Sequence, residues 1–342
     1  MIDTKLLIKR SIKSAAAMAK SRLPRRSCSR QDVNIIAYHR VVADIEKAED
    51  ESYYGLVVST STFRKHCELL KQNYNVVSLE HAADVLKRKR RSHRPLAVIT
   101  FDDGYLDFYE EAFPILKELS LTATVFLPTE CIGQDQPLAH DRIFWLLRLA
   151  SKNRIAVAPA LEHAGVDPQI VRMFLGNGNS HVLTELLVYL PDNTREKLIA
   201  ELEASIPHFR EYPREFKLLN WDQIREMSAA GIGFGGHTAN HVVLPLENDY
   251  TAASEIAKSK RELESQIERD VTTFAYPNGE YDPAIRSLVI DAGFKVAVTT
   301  EKKFNRPGTD PLALGRFSLC EESTRGIRGV FSPKIAALRL GL

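Results

Sequence analysis

Cysteine is scarce in this chain. Only Cys28, Cys67, Cys131 and Cys320 occur in 342 residues, and no two form a Cys-x-x-Cys pair. That excludes a zinc-finger framework and a dense disulfide scaffold, and it suits a reducing compartment. Long apolar runs are also missing. The longest uncharged stretch near the start, Ser14 to Ala19, is too short for a signal-peptide core or a membrane span. Excess charge of either sign is absent overall: 46 basic against 44 acidic residues leave a net +2, which argues against a nucleic-acid partner. Histidine disappears after position 241. What remains is ordinary globular composition, 44% apolar and 26% charged, enough for one large domain or two small ones.

One stretch organises the rest. Leu96 to Phe101 is a continuous apolar run that ends in Asp102-Asp103-Gly104-Tyr105. Such a run predicts a strand buried on both faces. In a barrel or an open α/β sheet, chemistry gathers at the C-terminal ends of strands. Two carboxylates there can divide the work, one holding a cation and the other handling a proton. A second stretch, Ile232 to His241, reads as a short glycine-rich strand ending in His-x-x-x-His. Imidazoles four apart share one helical face, or one side of a tight loop, at metal-ligand spacing. Two histidines and an aspartate, all at strand ends, suit a zinc site with open positions for water.

From Asp32 onward, strand and helix patterns alternate. Strands are predicted over Val33–Tyr38, Asn75–Leu79, Leu96–Phe101, Thr122–Leu127, Thr272–Tyr276, Phe294–Thr300 and Gly315–Leu319, besides the glycine-rich strand at 232. Helices are predicted from a Thr60 or Ser61 cap to Gln72, over His81–Lys89, Leu106–Leu119 and Ala252–Arg269, and from Asp282-Pro283 to a stop at Gly293. This alternation means an α/β fold with a mainly parallel sheet. Between 133 and 219 the strand rhythm stops. Helices are predicted there over Ile143–Ala150, Ile170–Phe174, Val182–Leu190 and Arg195–Ile206, a helical insertion placed to form a lid or a substrate wall.

Thr100-Phe101-Asp102-Asp103-Gly104 together with His237-Thr238-Ala239-Asn240-His241 resembles the polysaccharide deacetylases, carbohydrate esterase family 4 with its NodB-homology domain. Tyr38-His39-Arg40-Val41 is similar to the exopolysaccharide-associated branch, and Phe274 to Gly279 resembles the third family motif. The likeness runs from about Val33 to about Leu319. It implies a distorted (β/α) barrel of about seven strands, with a catalytic domain over 32–320. It also implies a zinc ion, or another divalent transition metal, held by Asp103, His237 and His241, with Asp102 as general base. The implied reaction removes N-acetyl groups from N-acetylhexosamine units of a polysaccharide or a lipid-linked precursor. A backbone N–H near Gly104 or Tyr105 would hold the oxyanion. Tyr276, Pro277 and Asn278 would meet the substrate. Tyr276, Trp221 and Trp145 are candidates to stack on sugar rings, with core packing as the other reading.

The chain departs from the family pattern twice. Many members open the third motif with an arginine that orients the base, and Ala275 stands there here; Arg316 or Arg40 are the candidate substitutes. Many also carry a late Leu-x-His whose histidine acts as general acid. His39 is the candidate replacement, with a core histidine as the other reading. His140-Asp141-Arg142 either faces the site or caps its own helix. Two other functions remain open at this level: a zinc-dependent amidase acting on a small molecule, and a carbohydrate-binding relative with impaired catalysis.

The termini are basic. In residues 1–31, Lys5, Lys9, Arg10, Lys13, Lys20, Arg22, Arg25, Arg26 and Arg30 face a single acid, Asp3. Ile8, Ile12, Ala15, Ala19 and Leu23 fall on one helical stripe. The segment reads as a helix lying on an anionic membrane surface, or as a solvated tail. Residues 321–342 echo it as a basic tail. With no secretion signal in view, the expected place is cytoplasmic, peripheral on the inner face of the membrane. The run Lys87 to Arg91 reads as a solvated helix end. Oligomeric state is not legible.

Overall fold

The computed structural model describes residues 28–52, 55–166, 171, 184, 187–326 and 329–342. The predicted helices at 170–174 and 182–190, and the basic segment before Cys28, lie outside the described residues or nearly so. The described chain forms two compact units, one from 136–216 with Glu51 and Ser52, the other from 28–50, 55–135 and 217–342.

The larger unit is built on a parallel sheet. Its strands are β1 (Val33–Tyr38), β4 (Asn75–Val76), β5 (Leu96–Phe101), β6 (Thr124–Leu127), β7 (Gly233–Gly236), β8 (Thr273–Ala275), β9 (Val296–Val298) and β10 (Phe317–Ser318). Two three-residue strands, β2 (Arg40–Val42) and β3 (Val57–Ser59), pair separately. The main order is β10-β1-β5-β6-β7-β8-β9, with β4 beside the first half of β5. Every residue of β1 and β5 is buried, including Asn34 and Thr100 within their otherwise apolar runs. They pair in register from Val33–Leu96 to Tyr38–Phe101, so both strands end level. Past β9 the chain hydrogen-bonds back along that strand, through Leu314 N–H to Ala297 O and Thr299 N–H to Leu314 O, and then runs into β10 beside β1. The sheet thus curls toward closure, a distorted (β/α) barrel with helices outside it.

The helix Leu79–Lys87 plugs the inside. Leu79, Ala82, Ala83 and Leu86 form one apolar face at helical spacing. That face packs into the same cluster as Val33 and Ile35 of β1, Val98 of β5, Phe126 of β6 and Val296 and Val298 of β9.

Several predicted boundaries move, each for a local reason. The helix expected to start at Thr60 or Ser61 is capped by Ser59, whose Oγ accepts the Thr62 N–H, and runs to Asn73. The strand expected over Asn75–Leu79 stops at Val76 because Ser78 caps the next helix two residues early. The helix expected over Leu106–Leu119 is a π-turn at Phe108–Ala112 followed by an α-helix at Phe113–Glu118. Pro114 lacks the N–H that a continuous α-helix would use at that point. Asp282 caps the helix Pro283–Asp291 as expected, and Gly293 ends it at φ +91°.

The C-terminal segment packs back rather than trailing free. Leu340 O accepts from both Asn34 Nδ2 and Tyr74 Oη, and the helix Pro333–Arg339 buries Ala336. In the smaller unit, the helices Ala139–Lys152, Ala158–His163 and Asp192–Ser205 pack on one another.

Candidate active site

Three strand ends build the site. Asp102 still belongs to the β1–β5 ladder, because its N–H donates to Tyr38 O at 3.0 Å. The chain then turns through two left-handed residues, Asp103 at φ +74° and Gly104 at φ +71°. A side chain at 104 could not fit, since its Cβ would lie 2.5 Å from Leu127 Cδ2. This turn sends the neighbouring carboxylates to different partners.

Asp102 meets Arg316. The guanidinium forks onto the carboxylate with Nη1–Oδ1 and Nη2–Oδ2 both at 2.7 Å. Arg316 is itself fixed by Nε to Thr299 O and Nη1 to Thr100 Oγ1. Burial pushes the Asp102 carboxyl up, but the Arg316 charge and hydrogen bonds outweigh it and hold the group below the usual range. Arg40, the other candidate, is buried and points elsewhere. Its Nε donates to Asp107 at 2.7 Å, and its guanidinium lies over the Tyr105 ring at 5.1 Å. Burial pushes the Asp107 carboxyl up to about 6 even with Arg40 beside it. His39 Nε2 stands 4.0 Å from Asp102 Oδ2, with about a quarter of its side chain exposed.

Asp103 meets the two histidines. Its Oδ1 lies 3.5 Å from His237 Nε2 and 3.2 Å from His241 Nε2. The histidines come from the end of β7 and the loop after it, where Thr238 at φ +65° and His241 at φ +55° make a tight turn and not a helix. Glycine at 235 is required by close packing, since a Cβ there would sit 2.6 Å from Phe126 and Thr273. His237 Nδ1 donates to Ala275 O at 2.7 Å, which turns Nε2 toward the carboxylate.

These residues fit a cation. With Nδ1 acting as donor, a neutral His237 presents a lone pair at Nε2 to a carboxylate oxygen. Asp103 Oδ1 is buried with no hydrogen-bond partner. Acceptors brought face to face need a proton or a metal between them. One ligand atom from each of Asp103, His237 and His241 lies within 4.8 Å of the others, the one such cluster of three among the described residues. Burial pushes Asp103 up and His237 down. The facing imidazoles and carboxylates outweigh it, leaving Asp103 well below and His237 above their ordinary values.

Two residues around this site were not picked out from sequence. Glu255, on the long helix Asp249–Ile267, accepts the N–H groups of Ala239 and Asn240 at 2.9 and 2.8 Å and the Asn240 side chain at 2.8 Å. It thereby clamps the loop between the histidines. Its signal was a carboxylate on the buried stripe Ala252, Ile256, Ser259, Leu263. Asp107 ties β2 to the turn after β5, accepting from Arg40 and from the Val41 N–H.

Other expected substrate residues sit differently. The Tyr276 ring is fully buried, stacked on Tyr281 at 4.7 Å, with its hydroxyl donated to Leu312 O. It has no exposed face for a sugar. Pro277 is buried, and Asn278 is half-buried at φ +56° on the rim after β8. Tyr105 is buried, and the Gly104 N–H is committed to Asp102 O at 3.0 Å. Trp145 packs edge-on against Phe216 within the smaller unit, and Trp221 opens the helix Trp221–Ala229. In that unit Asp141 is buried 3.6 Å from His140, and Arg142 pairs with Glu196 and Glu203.

The polysaccharide deacetylase profile matches residues 89–297, more than half of the chain. The chain belongs to the polysaccharide deacetylase family. As an enzyme of that family it is a hydrolase of amide bonds in polysaccharide. It is 22% identical over 286 residues to YxkH of Bacillus subtilis, named for the same family, covering 83% of this chain and 68% of that one. It is 26% identical over 182 residues to the poly-β-1,6-N-acetyl-D-glucosamine N-deacetylase of Staphylococcus aureus, covering 48% of this chain and 55% of that protein. The chain therefore spans about half the length of the staphylococcal relative. In fold, this deacetylase is similar to IcaB from Ammonifex degensii, with a TM-score of 0.58 at 21% identity over 91% of this chain and 97% of that one. It is also similar to the Streptococcus pyogenes deacetylase PplD in complex with acetate, with a TM-score of 0.57 at 19% identity over 86% and 95%.

Proposed function

We propose that this deacetylase removes N-acetyl groups from N-acetylhexosamine units of an exopolysaccharide or its lipid-linked precursor. The polymer named for the staphylococcal relative supports that substrate class. Asp103, His237 and His241 would hold a divalent transition metal, with zinc suited to the two-imidazole, one-carboxylate donor set. When bound, the ion polarises the acetyl carbonyl as a Lewis acid.

The chain's own groups do the rest. Asp102, held ionised and oriented by Arg316, takes a proton from the attacking water as that oxygen bonds to the acetyl carbon. His39, across from Asp102 at 4.0 Å, gives a proton to the nitrogen as the C–N bond breaks. The products are acetate and a free amine on the sugar. A backbone N–H after the aspartate pair would hold the oxyanion, and that of Gly104 serves the Asp102 carbonyl in this structure. The observation that carries this reading is the bidentate Arg316–Asp102 pair beside the Asp103–His237–His241 cluster.

The test is acetate release from N-acetylglucosamine oligomers by metal-replete protein beside an Asp102→Asn variant. Loss of a general base costs typically ~10²–10⁴-fold. An equal rate in the variant would remove Asp102 from the chemistry. No release by the wild type from any N-acetylated oligomer would remove the substrate class.

A further inference from the structure

The pole of the larger unit opposite the active site is strongly basic. The loop from Lys87 to Arg94 leads into the N-terminal end of β5, whereas Asp102 lies just past its C-terminal end. Between Val85 and Phe101 there are six arginines and lysines and no acid. Lys87, Arg88, Lys89, Arg90, Arg91 and Arg94 are all exposed. Arg88 is paired with Asp84, and Arg94 donates to Lys71 O. Lys87, Lys89 and Arg90 have no acidic partner among the described residues.

This run is more than a solvated helix end. The Ser92 N–H donates to Arg30 O at 3.3 Å, which draws the loop alongside the segment before β1. Together Ser29, Arg30, Gln31, Arg91, Ser92 and His93 line a cleft of about 430 Å³. Two arginines, a histidine and two serines thus line it, a set of residue types that suits phosphate. Holding so many like charges together costs electrostatic energy that an anionic surface would offset.

We infer that this basic pole docks on an anionic lipid membrane, with headgroup phosphates entering the cleft at Arg30, Arg91 and His93. Lipid is favoured over a soluble polyanion by what adjoins the pole. Residues before Cys28 are basic in sequence and carry the apolar stripe Ile8, Ile12, Ala15, Ala19, Leu23, for which a polyanion has no use. The chain enters the pole at Cys28, whose N–H donates to Gly341 O at 2.9 Å. No helix among the described residues is long and apolar enough to cross a membrane. β5 separates the pole from the site by about 20 Å, six residues at ~3.3 Å each. Docking therefore holds the catalytic mouth about that far from the lipid, which favours the polymer over a lipid-linked precursor among the proposed substrates.

The test is co-sedimentation of the full chain with vesicles of phosphatidylcholine alone and with added phosphatidylglycerol, at low and high salt. Two variants isolate the pole: Arg30→Gln/Arg91→Gln, and Lys87→Gln/Lys89→Gln/Arg90→Gln. Wild-type protein should bind only the anionic vesicles and release in salt. With each basic residue near such a surface contributing roughly 1 kcal/mol, the double variant should lose binding about 30-fold, the triple about 160-fold and the combination ~10³-fold or more. Unfolding midpoints and acetate release from short soluble oligomers should stay unchanged. The inference is overturned by equal binding of the combined variant, by equal binding to neutral vesicles, or by retention on a sulfated polysaccharide without vesicle binding.

Discussion

Arg316 supplies both a charge and a planar fork to Asp102, and only the charge survives replacement by lysine. Arg316→Lys should therefore keep the fold yet lower kcat, by roughly 10-fold or more, with KM little changed. Steady-state kinetics on an N-acetylated oligomer check this. A KM effect alone would mean that Arg316 serves substrate binding instead. Arg316 could be nominated from sequence but not chosen over Arg40. The two aspartates and the histidine pair announce themselves by adjacency and spacing. The Arg316–Asp102 contact spans 214 residues and exists only because β10 lies beside β1, next to β5. Tyr276 failed as a sugar platform for a similar reason: its hydroxyl finds Leu312 O, 36 residues away, and the ring goes inside. At Gly104, replacement by alanine meets both the left-handed backbone and Leu127. It should cost at least ~2 kcal/mol, seen as a midpoint several degrees lower in thermal unfolding.

At the level of elements, the histidine loop depends on the helix behind it. Glu255 satisfies two backbone N–H groups and one side-chain amide in the turn that aims His237 and His241. In Glu255→Gln one side-chain oxygen becomes an amide NH2, a donor facing donors. Metal affinity should fall about 10–100-fold, as it does when the groups that orient ligands are altered. Competition with a chromogenic chelator reads this directly. A lowered unfolding midpoint of the metal-free protein with unchanged metal affinity would reduce Glu255 to a structural role. The elements themselves were legible where local signals were strong: β1 and β5 from mainly apolar runs, and Pro283–Asp291 from its Asp-Pro start and glycine stop. They were less legible where a tertiary contact or a proline cut them short. β8 and β9 keep only three residues each of the longer runs the sequence suggested, and the turn after β5 takes a π geometry ahead of Pro114.

For the molecule as a whole, acid sensitivity follows from a buried histidine to which no catalytic role is assigned. His66 is fully buried between Tyr38 Oη and Thr324 Oγ1, each at 3.1 Å, joining the helix Thr60–Asn73 to the C-terminal segment. Burial lowers its pKa to about 3. Between about 6.5 and about 3 the unfolded chain binds a proton that the folded chain refuses, so this group's contribution to stability falls as pH falls. The loss is ~1.4 kcal/mol per pH unit inside that window. His66→Gln, which keeps polar partners without titrating, should flatten the decline in urea midpoint from pH 6 to about pH 4. An unchanged slope would place the acid sensitivity elsewhere.

The proposed function centres on a metal-dependent reaction where the ends of β5 and β7 meet. Protein stripped of metal and titrated with zinc, with acetate release followed at each addition, tests that most directly. Release should be negligible before metal and rise to a plateau at one equivalent per chain, and the rise should be lost in His241→Ala. Full release from the stripped protein, unchanged by zinc, would contradict the proposed function.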